Sequence, residues 1–284
     1  MINILYTIIL FNILLIFFKL FQKYQIDNLQ ALTINYFTAT MLCYVLYKKK
    51  EEINFYNIIQ QEWIYYMIIL GILFILIFYL FAFSSQKIGI ATTTIANKIS
   101  VIIPVTIALI LYPNEEITLI KIIAFILIII GLYLCTLTDK VHINRKFLWV
   151  IACVFLGQGF LDSLFNHVIQ TYSIGIDFYF FMILFSIATI VGFVIIVIKI
   201  IMKSISLKIK NIWWGILFGI INLYSMMFFV KALNEVNSAI VFSLVSIGIV
   251  ITSSLLGVLV FKEKLSKQNW IGILVSSIAI YILT

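Results

Sequence analysis

LYPNEEITLIKIIAFILIIIGLYL at residues 111–134 and LVFKEKLSKQNWIGILVSSIAIYIL at residues 259–283 begin with the same punctuation. In each, an apolar segment ends in a short polar turn that carries a glutamate, Glu115 or Glu263. A hydroxyl follows three residues later, Thr118 or Ser266, and a second apolar segment starts there. A hydroxyl at such a place serves as a helix N-cap, because its oxygen accepts an amide hydrogen that the first turn leaves unpaired. The likeness runs backwards along the chain. Residues 81–134 lie on 229–282 without a gap, at a constant offset of 148 positions. Phe81 meets Phe229, Ala91 meets Ala239, Ile99 meets Ile247, Ile103 meets Ile251, Leu111 meets Leu259 and Tyr133 meets Tyr281. Isoleucine and leucine matches carry little weight in so apolar a text. The two glutamates carry more, because the whole chain holds only 11 acidic residues.

Composition sets the class. Of 284 residues, 64% are hydrophobic and 11% charged, with a mean hydropathy of +1.20. A soluble domain needs about a quarter of its residues charged to cover its surface. Aromatic residues reach 16%, as in helices that face lipid and carry interfacial belts. A membrane-spanning helix takes about 20 mostly apolar residues. Runs of that kind fall at 2–20, 30–47, 63–83, 90–111, 118–138, 147–168, 177–200, 212–231, 238–261 and 268–284. The fold class read from this is an all-α integral membrane protein, with ten spans in two five-helix halves at 1–139 and 146–284. The first run, from Ile2 to Phe18, lacks a basic flank and a small-residue cleavage site, and reads as a span, not a removable signal. The connecting loops are short and leave no room for a soluble domain.

Several function classes drop out. The net charge of +8 sits in short loops and forms no basic patch interleaved with stacking aromatics, so no nucleic-acid partner is expected. Cys43, Cys135 and Cys153 all lie within apolar runs, form no CxxC pair and have no histidine at metal spacing. They read as small hydrophobes, and no metal or cofactor is expected. His142 and His167 have no serine or carboxylate at motif spacing and read as loop or interface residues. No phosphate-binding loop, nucleophile elbow or zinc-protease motif appears, and nothing in the sequence argues for catalysis.

An odd number of spans per half turns the second half upside down relative to the first. Inverted repeats with a site at their interface are a recurring transporter plan. With its two five-span halves and the paired turns quoted above, the chain resembles the drug/metabolite transporter superfamily, and within it the ten-span EamA-type members. Such proteins carry a glutamate at this turn, then a polar residue, then a glycine-bearing fifth helix. Their usual glycine before the glutamate is replaced here by Asn114 and Lys262. The resemblance implies alternating access around a central pocket lined by spans one, three, four, six, eight and nine.

Charges inside a span are expensive and point to function. Lys98, in ATTTIANKISVIIP, sits well inside span four, with Asn97 before it and Pro104 after it. The proline frees a backbone carbonyl and can kink the helix. Asp162, in FLGQGFLDSLFNHVIQ, lies in span six, where Gln158, Asp162 and Asn166 recur every four residues and so share one helix face. One ammonium and one carboxylate suit a zwitterion, so Lys98, Asp162, Asn97, Gln158 and Asn166 are the first substrate-binding candidates. Lys98 snorkelling to the interface, and Asp162 in a structural ion pair, are the competing readings. Asn12 in span one matches Asp162 at an offset of 150 positions and joins the candidates. Asn222 with Tyr224 in span eight joins them too, and Asn35 with Tyr36 in span two is a similar pair. Ser243 and Ser246 in span nine read as packing residues, as does Gly215-x-x-x-Gly219. Glu115 and Glu263 read as caps or gate residues at span ends.

Orientation stays open. Thirteen Lys and Arg residues lie in the loops after the odd-numbered spans and five in the other set, which puts both termini outside. The resemblance implies both termini inside. Abundant Ile, Lys and Asn suggest an AT-rich genome and a bacterial plasma membrane. The expected partners are the lipid bilayer and a small polar metabolite, with an amino acid or related compound favoured, and the carrier is a monomer or homodimer. The rival readings are a lipid-linked substrate flippase on the same scaffold, or a membrane sensor or enzyme without transport.

Overall fold

The computed structural model describes residues 1–47, 59–111, 119–136, 147–172, 178–235 and 238–283. Among them every regular element is a helix: α1 (Ile2–Lys23), α2 (Asn28–Leu46), α3 (Ile64–Lys87), α4 (Ile90–Ile99), α5 (Ile102–Leu111), α6 (Leu119–Thr136), α7 (Leu148–Tyr172), α8 (Phe178–Ile201), α9 (Ile209–Glu235), α10 (Ser238–Leu259) and α11 (Lys267–Leu283). Six of these, α1, α2, α3, α7, α8 and α9, are long and apolar enough to cross a membrane among the described residues. With α6, α10, α11 and the α4–α5 pair they make up the ten spans read from the sequence.

Span four is not one helix. Pro104 has no amide hydrogen, and its ring collides with the carbonyl four residues back, that of Ser100. The chain answers by tightening there: the Ile103 amide donates to the Ser100 carbonyl at 2.9 Å, a three-residue turn in place of a four-residue one. The Ser100 hydroxyl turns back to donate to the Asn97 carbonyl. Helix α4 therefore stops at Ile99 and α5 starts at Ile102. Its repeat counterpart α10 has Thr252 where the proline stands and runs unbroken.

Helix ends follow local chemistry. The Asp27 carboxylate accepts the Gln30 amide at 2.9 Å and caps α2. Ser266 opens α11 as expected. Its hydroxyl accepts the Asn269 amide at 3.2 Å, while the Asn269 side-chain oxygen accepts the Ser266 amide at 2.8 Å. Thr118, Asn114, Glu115 and His142 lie outside the described residues, as do the side chains of Cys135 and Ser243. Past the end of α10 the Gly257 carbonyl accepts the Glu263 amide at 2.8 Å, and this reverse turn puts Lys262 at φ 54°. That is the position where the resembled proteins carry glycine, and the left-handed backbone explains why.

The chain divides into two compact units. Unit 1 holds residues 1–19, 80–163 and 224–284. In it α6 packs along α11 and α4 along α10, with α10 also against α11 and α4 against α6. Ile95, Ile99, Ala124, Val250, Ile273, Ala279 and Ile280 form the buried core of these four helices. Unit 2 holds residues 20–79 and 164–223, and there α2 packs along α8. The extensive pairings thus join repeat counterparts: spans two and seven, four and nine, five and ten. A two-fold related pair presents the same patch from both sides, so each counterpart meets its own copy. In unit 2 Tyr36 is fully buried, its ring 5.5 Å from that of Phe185 and its hydroxyl donating to the Phe74 carbonyl at 3.2 Å. Gly215 and Gly219 lie flat on α2. A Cβ on Gly215 would come within 2.7 Å of the Ala31 carbonyl oxygen, and one on Gly219 within 2.7 Å of that of Asn35. The close-packing reading of this pair holds.

The left-handed lysine generates a test. Replacing Lys262 with Gly removes a Cβ from a backbone that disfavours it, so the variant should be more stable by about 0.5–1 kcal/mol. The thermal midpoint of the purified protein in detergent should rise, and a fall would show that the lysine side chain stabilises the turn.

Candidate functional site

Unit 1 contains both intramembrane charges. Lys98 stands in the last turn of α4, where the unpaired carbonyls of the helix end carry partial negative charge and favour a cation. The break at Ser100 therefore does more than bend span four. It creates, in mid-span, a helix terminus with an ammonium on it. The Lys98 ammonium lies over the Phe11 ring of α1, 4.7 Å from the centroid. A ring face attracts a cation through its quadrupole but offers no lone pair. Among the described residues the ammonium finds this face and no hydrogen-bonding acceptor.

Asp162 comes from α7. Its Oδ1 accepts a hydrogen bond from Gln158 Nε2 at 2.8 Å, one turn back on the same helix. Gln158 Oε1 in turn accepts from Asn97 Nδ2 at 2.9 Å. Asn97 precedes Lys98, so this amide relay ties the half-helix α4 to α7 and fixes the carboxylate relative to the ammonium. The two charges attract each other. They are not in direct ion-pair contact among the described residues, and each keeps some accessible surface despite its deep position.

Asn12 of α1 belongs to the same unit. Its Nδ2 donates to Thr252 Oγ1 and to the Ile8 carbonyl, both at 2.7 Å. Its Oδ1 is buried without a partner among the described residues. An unpaired buried acceptor costs about 1–3 kcal/mol, so this oxygen stands ready for a donor. Asn12 and Asp162, matched by the repeat, thus face the two matched helices: Asn12 bonds to α10, and Asp162 is linked through Gln158 to α4.

The other candidates fall elsewhere. Asn166 and Asn222 belong to unit 2, where Asn166 is exposed and Asn222 donates to Asn35 Oδ1 at 3.1 Å. Tyr224 belongs to unit 1 and is 41% exposed. The structure therefore brings Lys98, Asp162, Asn97, Gln158 and Asn12 into one unit, and it does not bring Asn166 or Asn222 there. Sequence reading missed Phe11 and Thr252. Thr252 was findable, since the repeat lays it on Pro104, the residue that breaks the first-half helix. Phe11 had no signal among 25 phenylalanines. In unit 2 it also missed the Gln30–Asn211 hydrogen bond, 2.8 Å from Asn211 Nδ2 to Gln30 Oε1.

The amide relay makes a second test. Gln158→Ala leaves the Asn97 amide and one Asp162 oxygen without their protein partners, which should cost about 1–3 kcal/mol for each buried group left unpaired. Thermal unfolding in detergent reads this directly, and an unchanged midpoint would show that water replaces the relay.

Two comparisons bear on the whole chain. A sequence profile of the EamA-like transporter family matches residues 1–137 and again 145–284. An uncharacterized protein of Haemophilus influenzae is 30% identical over 290 residues, covering 99% of this chain and 97% of that one.

Proposed function

The chain belongs to the EamA-like transporter family, and from that membership we propose that it carries a small zwitterionic metabolite, an amino acid or close relative, across the plasma membrane by alternating access. It is a multi-pass membrane protein of a transporter family. One observation carries the substrate class: an ammonium and a carboxylate, one from each repeat, share unit 1 without direct contact. Opposite charges that fail to close on one another keep their strongest valences for a third party. Lys98 retains hydrogen-bond donors, since an aromatic face uses none of them. Asp162 Oδ2 remains beside the oxygen that Gln158 binds. A substrate carboxylate fits the first and a substrate ammonium the second.

The charge balance points the same way. One positive and one negative group leave the interior neutral, so a neutral zwitterion enters without adding net charge, whereas a singly charged ion adds an uncompensated one. The same pair of charges speaks against a lipid-linked cargo, whose long apolar part gains nothing from them. Asn12 Oδ1 supplies a further acceptor within the unit. Asn166 and Asn222 in unit 2, and Tyr224 in unit 1, remain candidates for substrate contact, each within its own unit.

The test uses purified protein in detergent and in proteoliposomes, with a panel of amino acids, carboxylates without an amine, and amines without a carboxylate. Zwitterions should raise the thermal midpoint of the wild type. Lys98→Ala and Asp162→Asn should each weaken apparent affinity by about 10–100-fold, the loss of one charge-assisted contact of about 1.4–2.7 kcal/mol. Undiminished transport by a well-expressed Asp162→Asn variant would sink the site.

A further inference from the structure

We propose that Glu263, held by Lys19, is the positioning residue for the half-helix that carries Lys98, and that breaking this pair releases α4, still capped by Glu263, from α1. All three pieces belong to unit 1. Glu263 Oε1 lies 3.0 Å from Lys19 Nζ and also accepts the Ile90 amide at 3.0 Å. One oxygen therefore joins the end of α1 to the first residue of α4.

Helix α4 needs such help. It has ten residues, and a helix shorter than about 12–15 residues is marginal on its own. Its N-cap position is Gly89, which supplies no side-chain hydrogen bond. The cap comes instead from a carboxylate 173 residues away in sequence. A carboxylate at a helix N-terminus satisfies an unpaired amide and meets the positive end of the dipole.

The seat is shaped for it. A Cβ on Gly89 would stand 3.2 Å from Glu263 Oε2, and one on Gly257 would stand 2.6 Å from the same oxygen. Gly89 also sits at φ 137°, where other residues are strained. Glycines at both places leave the carboxylate room to lie against α4. Lys19 is further located by the Phe261 ring, 5.9 Å from its ammonium. The Lys19 and Glu263 side chains are only 17% and 14% exposed, so water and salt screen the pair incompletely.

Capped by Glu263 at its start and separated from α5 by the Ser100–Val101 turn at its end, α4 is a short rod distinct from the rest of span four. Breaking the Lys19–Glu263 pair frees the capped rod from α1 while its own hydrogen bonds persist. The pair thus favours the conformation seen here over any in which α4 has left α1. A mostly covered ion pair of this kind shifts such a balance by about two- to fivefold.

The experiment uses the full chain with Cys43, Cys135 and Cys153 changed to Ser and a reporter cysteine at Ile88, beside the seat. The rate of modification by a water-soluble maleimide in detergent is compared among the parent, Lys19→Gln and Lys19→Arg. Lys19→Gln keeps the Glu263 cap on Ile90, so α4 stays folded while the ion pair is lost. Labelling should run about two- to fivefold faster in Lys19→Gln and return to the parent rate in Lys19→Arg. Equal rates in all three would overturn the proposal. If Lys19→Gln does not fold, Glu263→Gln takes its place, because its amide oxygen still accepts from Ile90; the same acceleration supports the proposal and a parent rate overturns it. Labelling requires no substrate, so its outcome stands apart from the zwitterion reading.

Discussion

Pro104 has no amide hydrogen to give, and much of unit 1 is arranged around that missing donor. The Ser100 carbonyl cannot be bonded in the helical way, so span four ends early and begins again. The early end places a carbonyl-rich terminus inside the span, and Lys98 occupies it. The shortened α4 cannot hold itself, so it is tied on every side: to α7 through Asn97 and Gln158, to α6, α10 and α11 through apolar contacts, and to Glu263 at its first amide. A single imino acid thus converts a plain span into a short, externally supported platform for a charge.

The polar contacts divide into those that hold and those that stay open. Asn97, Gln158, Glu263 and Lys19 spend their hydrogen bonds on one another, on one Asp162 oxygen or on the backbone, and so fix geometry. Lys98, the second oxygen of Asp162 and the Asn12 oxygen do not. Burying a charge is tolerable when its neighbours are already neutralised and fixed in place. An aromatic face under Lys98 serves that end well. It lowers the cost of burial and leaves the donors unspent.

Much of this was legible in the text of the chain. Ten apolar runs gave the spans to within a few residues, since lipid admits few alternatives to a helix. The glutamate–hydroxyl punctuation gave the repeat, and Ser266 proved to be the cap it resembled. Pro104 announced a kink, although not that α4 and α5 would separate fully; that depends on whether Ile103 reaches back to Ser100, a matter of local packing. Lys98 and Asp162 were conspicuous because charge is rare in such a chain. Their neighbours were not. Phe11 is one phenylalanine among many, and Glu263 reads as a cap or gate residue at a span end, with nothing to tie it to a helix 173 positions away. Long-range partners of that sort follow from how helices assemble, which periodicity does not encode. Lys262 is the opposite case: a family preference for glycine marked a left-handed residue that no propensity would have assigned to lysine.

The duplication has also become irreversible. Lys98 belongs to the first half, and the residue 148 positions on is Ser246; Asp162 belongs to the second, and its partner in the first is Asn12. Each half therefore holds one member of the charged couple and a neutral residue where the other half is charged. Two copies of the first half would put two ammonium groups and no carboxylate into the interior, and two copies of the second would do the reverse. Either assembly would strand like charges in a low-dielectric setting. What descends from one ancestral segment is now two complementary parts that can be neutral only together, so neither half could be exchanged for a second copy of the other.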